Sequence, residues 1–334
     1  MTRIDELLGE LTLDEKAALT AGVDMWHSPA VGRVALPALK VTDGPVGARG
    51  ARWVGTTSAC APCGTALGAT WNPEVVRRVG AVLGEETRAK RANVLLAPTV
   101  NLHRSPLAGR NFECFSEDPH LTAELAVAYV EGVQSTGVGA CIKHLVANDS
   151  EFERHTISSE VSERVLRELY LVPFEAAVLR ADVVAVMAAY NRLNGTYCAE
   201  HPWLLRDVLK GEWGFEGPVI SDWWGAQSTA SAEGGLDLEM PGPAVHMGAQ
   251  LAQRVRDGEL DESVLDDQVR RLLVLAERTG VLRNEDGVPE SSEEVPAHRA
   301  VLRAAAAEAV VLLRNDPVDG APVLPLDPAS LRRL

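Results

Sequence analysis

The feature that most restricts this fold is an alternation along the chain: a helical stretch, then a short apolar run that ends in polar residues. Residues 3–20 carry helical periodicity through Ile4, Leu7, Leu8, Leu11 and Leu19, and Thr12-Leu13-Asp14-Glu15 has the form of a capping box. A strand over 38–42 then runs into Asp43-Gly44-Pro45. The spacing predicts further helices over 73–91, 121–134, 161–180 and 203–210. It predicts strands over 94–98, 139–142, 183–187 and 219–220, and a sixth over 235–241. Helices follow over 245–257 and 261–279. Such alternation calls for a parallel sheet covered by helices, because parallel neighbours need a crossover long enough to hold one.

Open doubly wound sheets and closed barrels both satisfy this pattern. An open sheet concentrates its ligand contacts at one switch point, whereas here polar clusters follow nearly every strand, as the single mouth of a barrel requires. No G-x-G-x-x-G follows the first strand and no G-x-x-x-x-G-K-[ST] occurs, so dinucleotide and P-loop sites lack their signatures. The expected fold is α/β, a TIM-type (β/α)8 or (β/α)8-like barrel.

The 334 residues, 46% of them hydrophobic, are enough to bury a substantial core. Lys and Arg number 32 against 47 Asp and Glu, a formal net charge of −15. An acidic chain repels phosphate backbones and anionic lipid, so neither nucleic acid nor membrane is an expected partner; a neutral sugar meets no such barrier. The first ten residues form a charged helical pattern rather than a signal peptide, and a cytoplasmic location is expected. The 5 cysteines suggest no disulfide framework. Cys60 and Cys63 make a C-x-x-C without a second pair or clustered histidines, and are expected to be plain loop residues. No cofactor and no metal is expected, because the carboxylates lie in separate units beside cations that would compete with a divalent ion.

The strand ends carry the chemistry. They deliver Asp43 and Arg49, then Arg110, Lys143 and His144, then Tyr190, then Asp222 between Ser221 and the indoles Trp223 and Trp224. A carboxylate fixed at a strand end beside aromatic walls suits attack on a sugar, with a platform for the apolar ring faces. Each residue alone has a plainer reading. Asp222 can cap the next helix, Asp43-Gly44-Pro45 can be a simple turn, and His144 can be a satisfied core histidine. Together they are harder to dismiss, since buried charges need partners or ligands.

Taken in order, Thr42-Asp43-Gly44-Pro45 with Arg49, Gly109-Arg110-Asn111-Phe112-Glu113 before Ser116-Glu117-Asp118-Pro119, Lys143-His144-Leu145 with Asn148, Arg167-Glu168-Leu169-Tyr170-Leu171 and Ser221-Asp222-Trp223 resemble the N-terminal barrel domain of family 3 glycoside hydrolases, the β-glucosidase branch. The resemblance implies a retaining, exo-acting β-glycosidase that releases terminal non-reducing β-D-glucosyl residues. Asp222 matches the nucleophile that forms a glycosyl-aspartate. Asp43 matches the acceptor of sugar hydroxyls; Arg49, Arg110, Lys143, His144 and Tyr190 match the other polar contacts, and Met187 and Trp223 the wall. Neighbouring Arg110, Lys143 and His144 are expected to keep Asp222 ionised.

In that branch the general acid/base is a glutamate of a second domain, an α/β sandwich. Residues 1–296 are expected to form the barrel domain and 297–334 a helix and linker toward an absent sandwich domain, which a separate or missing segment would supply. A related branch places an Asp-His dyad after Lys-His, a pattern that Asp149 and His155 could imitate. The alternatives are a carbohydrate-binding pseudoenzyme or inactive fragment that keeps the pocket without turnover, and a barrel isomerase or aldolase working through Lys143.

Overall fold

The computed structural model describes residues 2–52, 54–283 and 289–332. Among them the strands are β1 (Val41–Thr42), β2 (Val94–Leu95), β3 (Gly139–Leu145), β4 (Ser158–Ser159), β5 (Ala185–Ala188), β6 (Arg192–Leu193), β7 (Thr196–Tyr197) and β8 (Val219–Ser221). β1, β2, β3, β5 and β8 stand side by side in that order, each pair parallel. β4, β6 and β7 form a separate small sheet.

Single bridges continue the main sheet: Ile220 with Leu238, Ala21 with Glu239, and His27 with Lys40. The described strands thus make a parallel half-barrel and not the eight equal strands that the expected (β/α)8 barrel would have. The strand expected over 235–241 is reduced to such bridges for a visible reason. Side chains interrupt the ladder there: Ser221 N still donates to Leu238 O (2.9 Å) and Leu238 N to Val219 O (3.1 Å), but Asp237 Oδ2 accepts from Val219 N (2.7 Å), while Ser221 Oγ accepts from Met240 N (2.9 Å) and donates to Met240 O (3.1 Å). Lys210, paired to Asp237 at 2.7 Å, balances the charge this buries.

Period-two alternation distributes the strands between two apolar clusters. Leu95, Ala140, Ile142, Val186 and Val219 join one, against the helices. Val41, Val94, Cys141, Met187 and Ile220 join the other. Two residues further along, in the second register, come Asp43 after Val41, Lys143 after Cys141 and Asp222 after Ile220. The same periodicity that sorts the core therefore carries three ionisable groups to one end of one face.

The helices follow their sequence signals with local changes. Asn72 caps Pro73–Ala89 by accepting from Glu74 N and Val75 N, and Asp118 caps Pro119–Gln134; proline opens both. These helices approach closely through glycine: a Cβ on Gly132 would stand 2.1 Å from Arg77 O. The expected 3–20 helix is two, Arg3–Glu10 and Leu13–Leu19, each opened by a capping box, on Thr2 and Thr12. The helix expected over 161–180 is broken by a π turn at Leu166–Tyr170 before Val172–Ala181, where Pro173 has no N–H to offer the preceding turn. Pro296–Glu308 packs back on Pro73–Ala89, with His298 between Glu86 (3.0 Å) and Glu85 (2.6 Å). Among the described residues no helix is long and apolar enough to cross a membrane.

Candidate active site

Asp222 lies immediately beyond β8, with 8% of its surface exposed. Its Oδ1 accepts the N–H of Trp223 at 2.8 Å. Its Oδ2 is buried and receives no well-formed hydrogen bond; His144 Nε2 stands 3.4 Å away and the Tyr190 hydroxyl is a further polar neighbour. The helix-cap reading fails, because the next helix, Ala230–Gly234, starts after Thr229. Asp222 instead keeps one buried carboxylate oxygen without a well-formed hydrogen bond.

Lys143 is almost fully buried and binds Asp43 Oδ1 at 2.8 Å. Burial opposes ionisation of Asp43, but Lys143, with Arg110 and Arg49 beyond it, outweighs this and lowers its pKa. Asp222 goes the other way. Burial dominates and raises its pKa, even though Lys143, the Trp223 N–H, Arg110 and Tyr190 all pull it down. Lys143 and Arg110 do favour the ionised form of Asp222, as expected, but burial outweighs them, so the net shift is upward rather than downward. The expectation for His144 is corrected: burial, reinforced by Arg110, Lys143 and Arg154, pushes its pKa well down, so it sits there as a neutral imidazole and adds no positive charge.

Arg110 is held as a fork, Nε on Glu113 Oε1 (2.9 Å) and Nη2 on Glu113 Oε2 (2.8 Å), and its charge reaches both Asp43 and Asp222. Asn101 fixes His144 from two sides: Nδ2 donates to His144 O (2.9 Å), and His144 N donates to Oδ1 (3.0 Å). Tyr190 has its ring between Arg154 (4.8 Å) and His155 (4.3 Å). Trp223 packs against Trp26 in a tilted arrangement at 5.5 Å and donates its indole N–H to Met25 O (3.1 Å), while Arg49 lies 5.7 Å from the Trp26 ring. Met187 is 1% exposed and packed in the same apolar cluster as Trp26 and Trp223.

The structure therefore brings Asp43, Arg110, Lys143, His144, Tyr190 and Asp222 into one electrostatic group, joined to Arg49 and Trp223 through Trp26. Sequence reasoning missed Trp26, Asn101, Glu113 and Arg154 as members. Glu113 was legible as the anion three residues from Arg110; Trp26 lies in an irregular segment that offers no periodicity. Asp149 and His155 do not pair as a dyad. His155 stacks on Tyr190, whereas Asp149 faces a small cavity lined by Asn101, Arg110, His144, Asn148 and Glu151, where burial raises its pKa to about 7. Among the described residues no group of three or more His, Cys, Asp and Glu side chains is arranged to hold a metal ion.

Residues 27–275 match the glycosyl hydrolase family 3 N terminal domain. A beta-glucosidase of Rhizobium radiobacter is 52% identical over 334 residues, 99% of this chain and 40% of its own. Probable beta-glucosidase J of Aspergillus fumigatus is 49% identical over 97% of this chain and 38% of its own. Beta-glucosidase 3B from Thermotoga neapolitana, solved with glycerol, superposes with a TM-score of 0.90 at 40% identity, covering 98% of this chain and 49% of that one. The Kluyveromyces marxianus beta-glucosidase, solved with glucose, gives a TM-score of 0.90 at 39% identity over 94% of this chain and 39% of that one. The chain spans about two fifths of the length of the curated relatives it matches. On this evidence it belongs to glycosyl hydrolase family 3, through that family's N-terminal domain.

Proposed function

We propose that this chain carries the nucleophile and sugar pocket of a retaining, exo-acting β-glycosidase of the β-glucosidase type. The observation that carries the reading is the buried Asp222 carboxyl, one oxygen of which accepts no well-formed hydrogen bond, beside the ion pair of Lys143 and Asp43. In this reading Asp222 attacks the anomeric carbon, the glycosidic C–O bond breaks, and the leaving oxygen takes a proton from a general acid. Water then attacks the anomeric carbon of the glycosyl-aspartate, giving its proton to the conjugate base of that acid, while the bond to the aspartate breaks, releasing the sugar and restoring the carboxylate. Asp43, lowered in pKa, accepts sugar hydroxyls; Lys143, Arg110, Arg49, Arg154, His144 and Tyr190 complete the polar rim, and Trp223 with Met187 forms the apolar wall. Charged partners hold hydroxyls more strongly than neutral ones.

The bridges that run from β8 through Leu238, Glu239 and Ala21 to Lys40 support reading the half-barrel as part of a (β/α)8-like ring. We assign the general acid to residues outside 1–334, as the resemblance to the β-glucosidase branch implies, because Asp149, beside Arg110 and His144 in the small cavity, and His155, against Tyr190, do not pair as a dyad. The substrate is a small glycoside, with β-glucosides favoured by the names of the relatives. Leaving-group dependence tests this. The chain is expected to turn over a dinitrophenyl β-glucoside, which needs little proton assistance, and to act on alkyl β-glucosides roughly 10²–10⁴-fold more slowly. Asp222→Asn should abolish the first reaction. Saturable glucose binding without turnover of the activated substrate would point instead to a carbohydrate-binding protein.

A further inference from the structure

The acidic, turn-rich stretch before the last helix has no part in the chemistry above, yet Glu290 from it reaches the rim of the site. Its Oε1 accepts from Lys40 Nζ at 2.6 Å and from Ala51 N at 2.7 Å. The segment is fastened just beyond that contact: Ser291 N donates to Ala89 O (2.9 Å), Lys90 Nζ donates to Ser291 O (3.1 Å), and Ser292 Oγ meets Thr57 Oγ1 at 2.6 Å. Gly50, with φ +79°, lets the carboxylate approach; a Cβ there would lie 2.5 Å from Glu290 Oε2.

What Glu290 grips is the turn that carries Arg49. Arg49 N donates to Asp43 O (2.7 Å), and Gly50 N donates to Thr42 Oγ1 (2.8 Å). Ala51 is held through both backbone groups, its N–H by Glu290 and its C=O by the Trp26 indole N–H at 3.0 Å. Trp26 in turn packs against Trp223, the neighbour of Asp222. Burial works against a charge on Glu290, but Lys40 and the Ala51 N–H outweigh it and hold the carboxyl below its usual range. A firmly ionised acceptor suits a fixed anchor.

Resting on the functional reading above, we infer that Glu290 is a positioning residue for the sugar pocket: by fixing Ala51 it sets Arg49 against Asp43 and keeps Trp26 on Trp223. It touches neither substrate nor nucleophile, so its loss weakens ground-state binding more than the covalent step.

The test uses the full chain and 2,4-dinitrophenyl 2-deoxy-2-fluoro-β-glucoside, whose inactivation kinetics separate a binding constant from a limiting rate. Glu290→Ala is expected to raise the binding constant about tenfold, the weight of one charge-assisted hydrogen bond, with the limiting rate within about twofold. Glu290→Gln, whose amide oxygen still accepts from Ala51, is expected to recover most of the loss. An unchanged binding constant in folded Glu290→Ala, or a Gln variant no better than Ala, overturns the inference. Near-ultraviolet circular dichroism of the Trp26–Trp223 pair reads the same positioning without sugar: altered in Ala and restored in Gln supports it, unaltered in Ala overturns it. If the unsubstituted chain is not labelled at all, the functional reading falls, and the dichroism still decides the role of Glu290.

Discussion

At the scale of single residues, the two carboxyls of the site are set apart by what surrounds them. Asp43 makes a direct bond with Lys143 and drops in pKa, while Asp222 feels the same lysine only through space and rises. Groups pushed apart in this way divide their roles, one always charged and one responsive to pH. A raised folded pKa means the folded state holds the proton longer than the unfolded one. Ionised Asp222 therefore destabilises the fold, fully above its folded pKa and not at all once pH falls below the ordinary carboxylate range. Asp222→Asn is thus expected to raise the melting temperature at pH 7, with the gain shrinking as pH falls toward about 4; thermal melts across pH check it. Lys143→Met removes the largest influence holding that pKa down. The acidic limb of Asp222 labelling should then move to higher pH in a rate–pH profile, and an unmoved limb would deny Lys143 its part.

At the scale of elements, the close helix pair and the docked last helix can each be probed by one substitution. Gly132→Ala drives a methyl against Arg77 O, and a cost of about 1–3 kcal/mol is expected in urea unfolding. His298→Ala leaves buried Glu86 with one partner fewer and should cost about 1–3 kcal/mol. These elements also mark how much of the fold the residues announce. Pro73 with its capping neighbour gives a helix start directly, because local hydrogen bonds decide it, while the helix expected from 121 begins two residues earlier, at Pro119 behind its Asp118 cap. Asp222, Lys143 and Asp43 were legible because period two projects each beyond an apolar residue of one face. The thinning of the strand over 235–241 was not, since it depends on where Asp237 and Ser221 find partners in three dimensions; the break at Leu166–Tyr170 follows from Pro173, a local signal that the helix predicted over 161–180 ran through. The upward shift of Asp222 is not legible for a related reason: nearby cations can be read from sequence, whereas the cost of burying a carboxyl depends on how closely the protein surrounds it.

At the scale of the whole molecule, the parallel sheet gathers polar groups from separate units at one end of one face, and Glu290 ties a late segment to that end. The chain covers about two fifths of the length of its curated relatives, and the function proposed for it is what these residues can carry: an attacking carboxylate at Asp222 and a place for one sugar. The most direct measurement is peptide mapping by mass spectrometry after treatment with 2,4-dinitrophenyl 2-deoxy-2-fluoro-β-glucoside. The account predicts one fluoroglucosyl group per chain, on Asp222, and none in Asp222→Asn. A label on another residue, or none on a chain that still binds glucose, would contradict it.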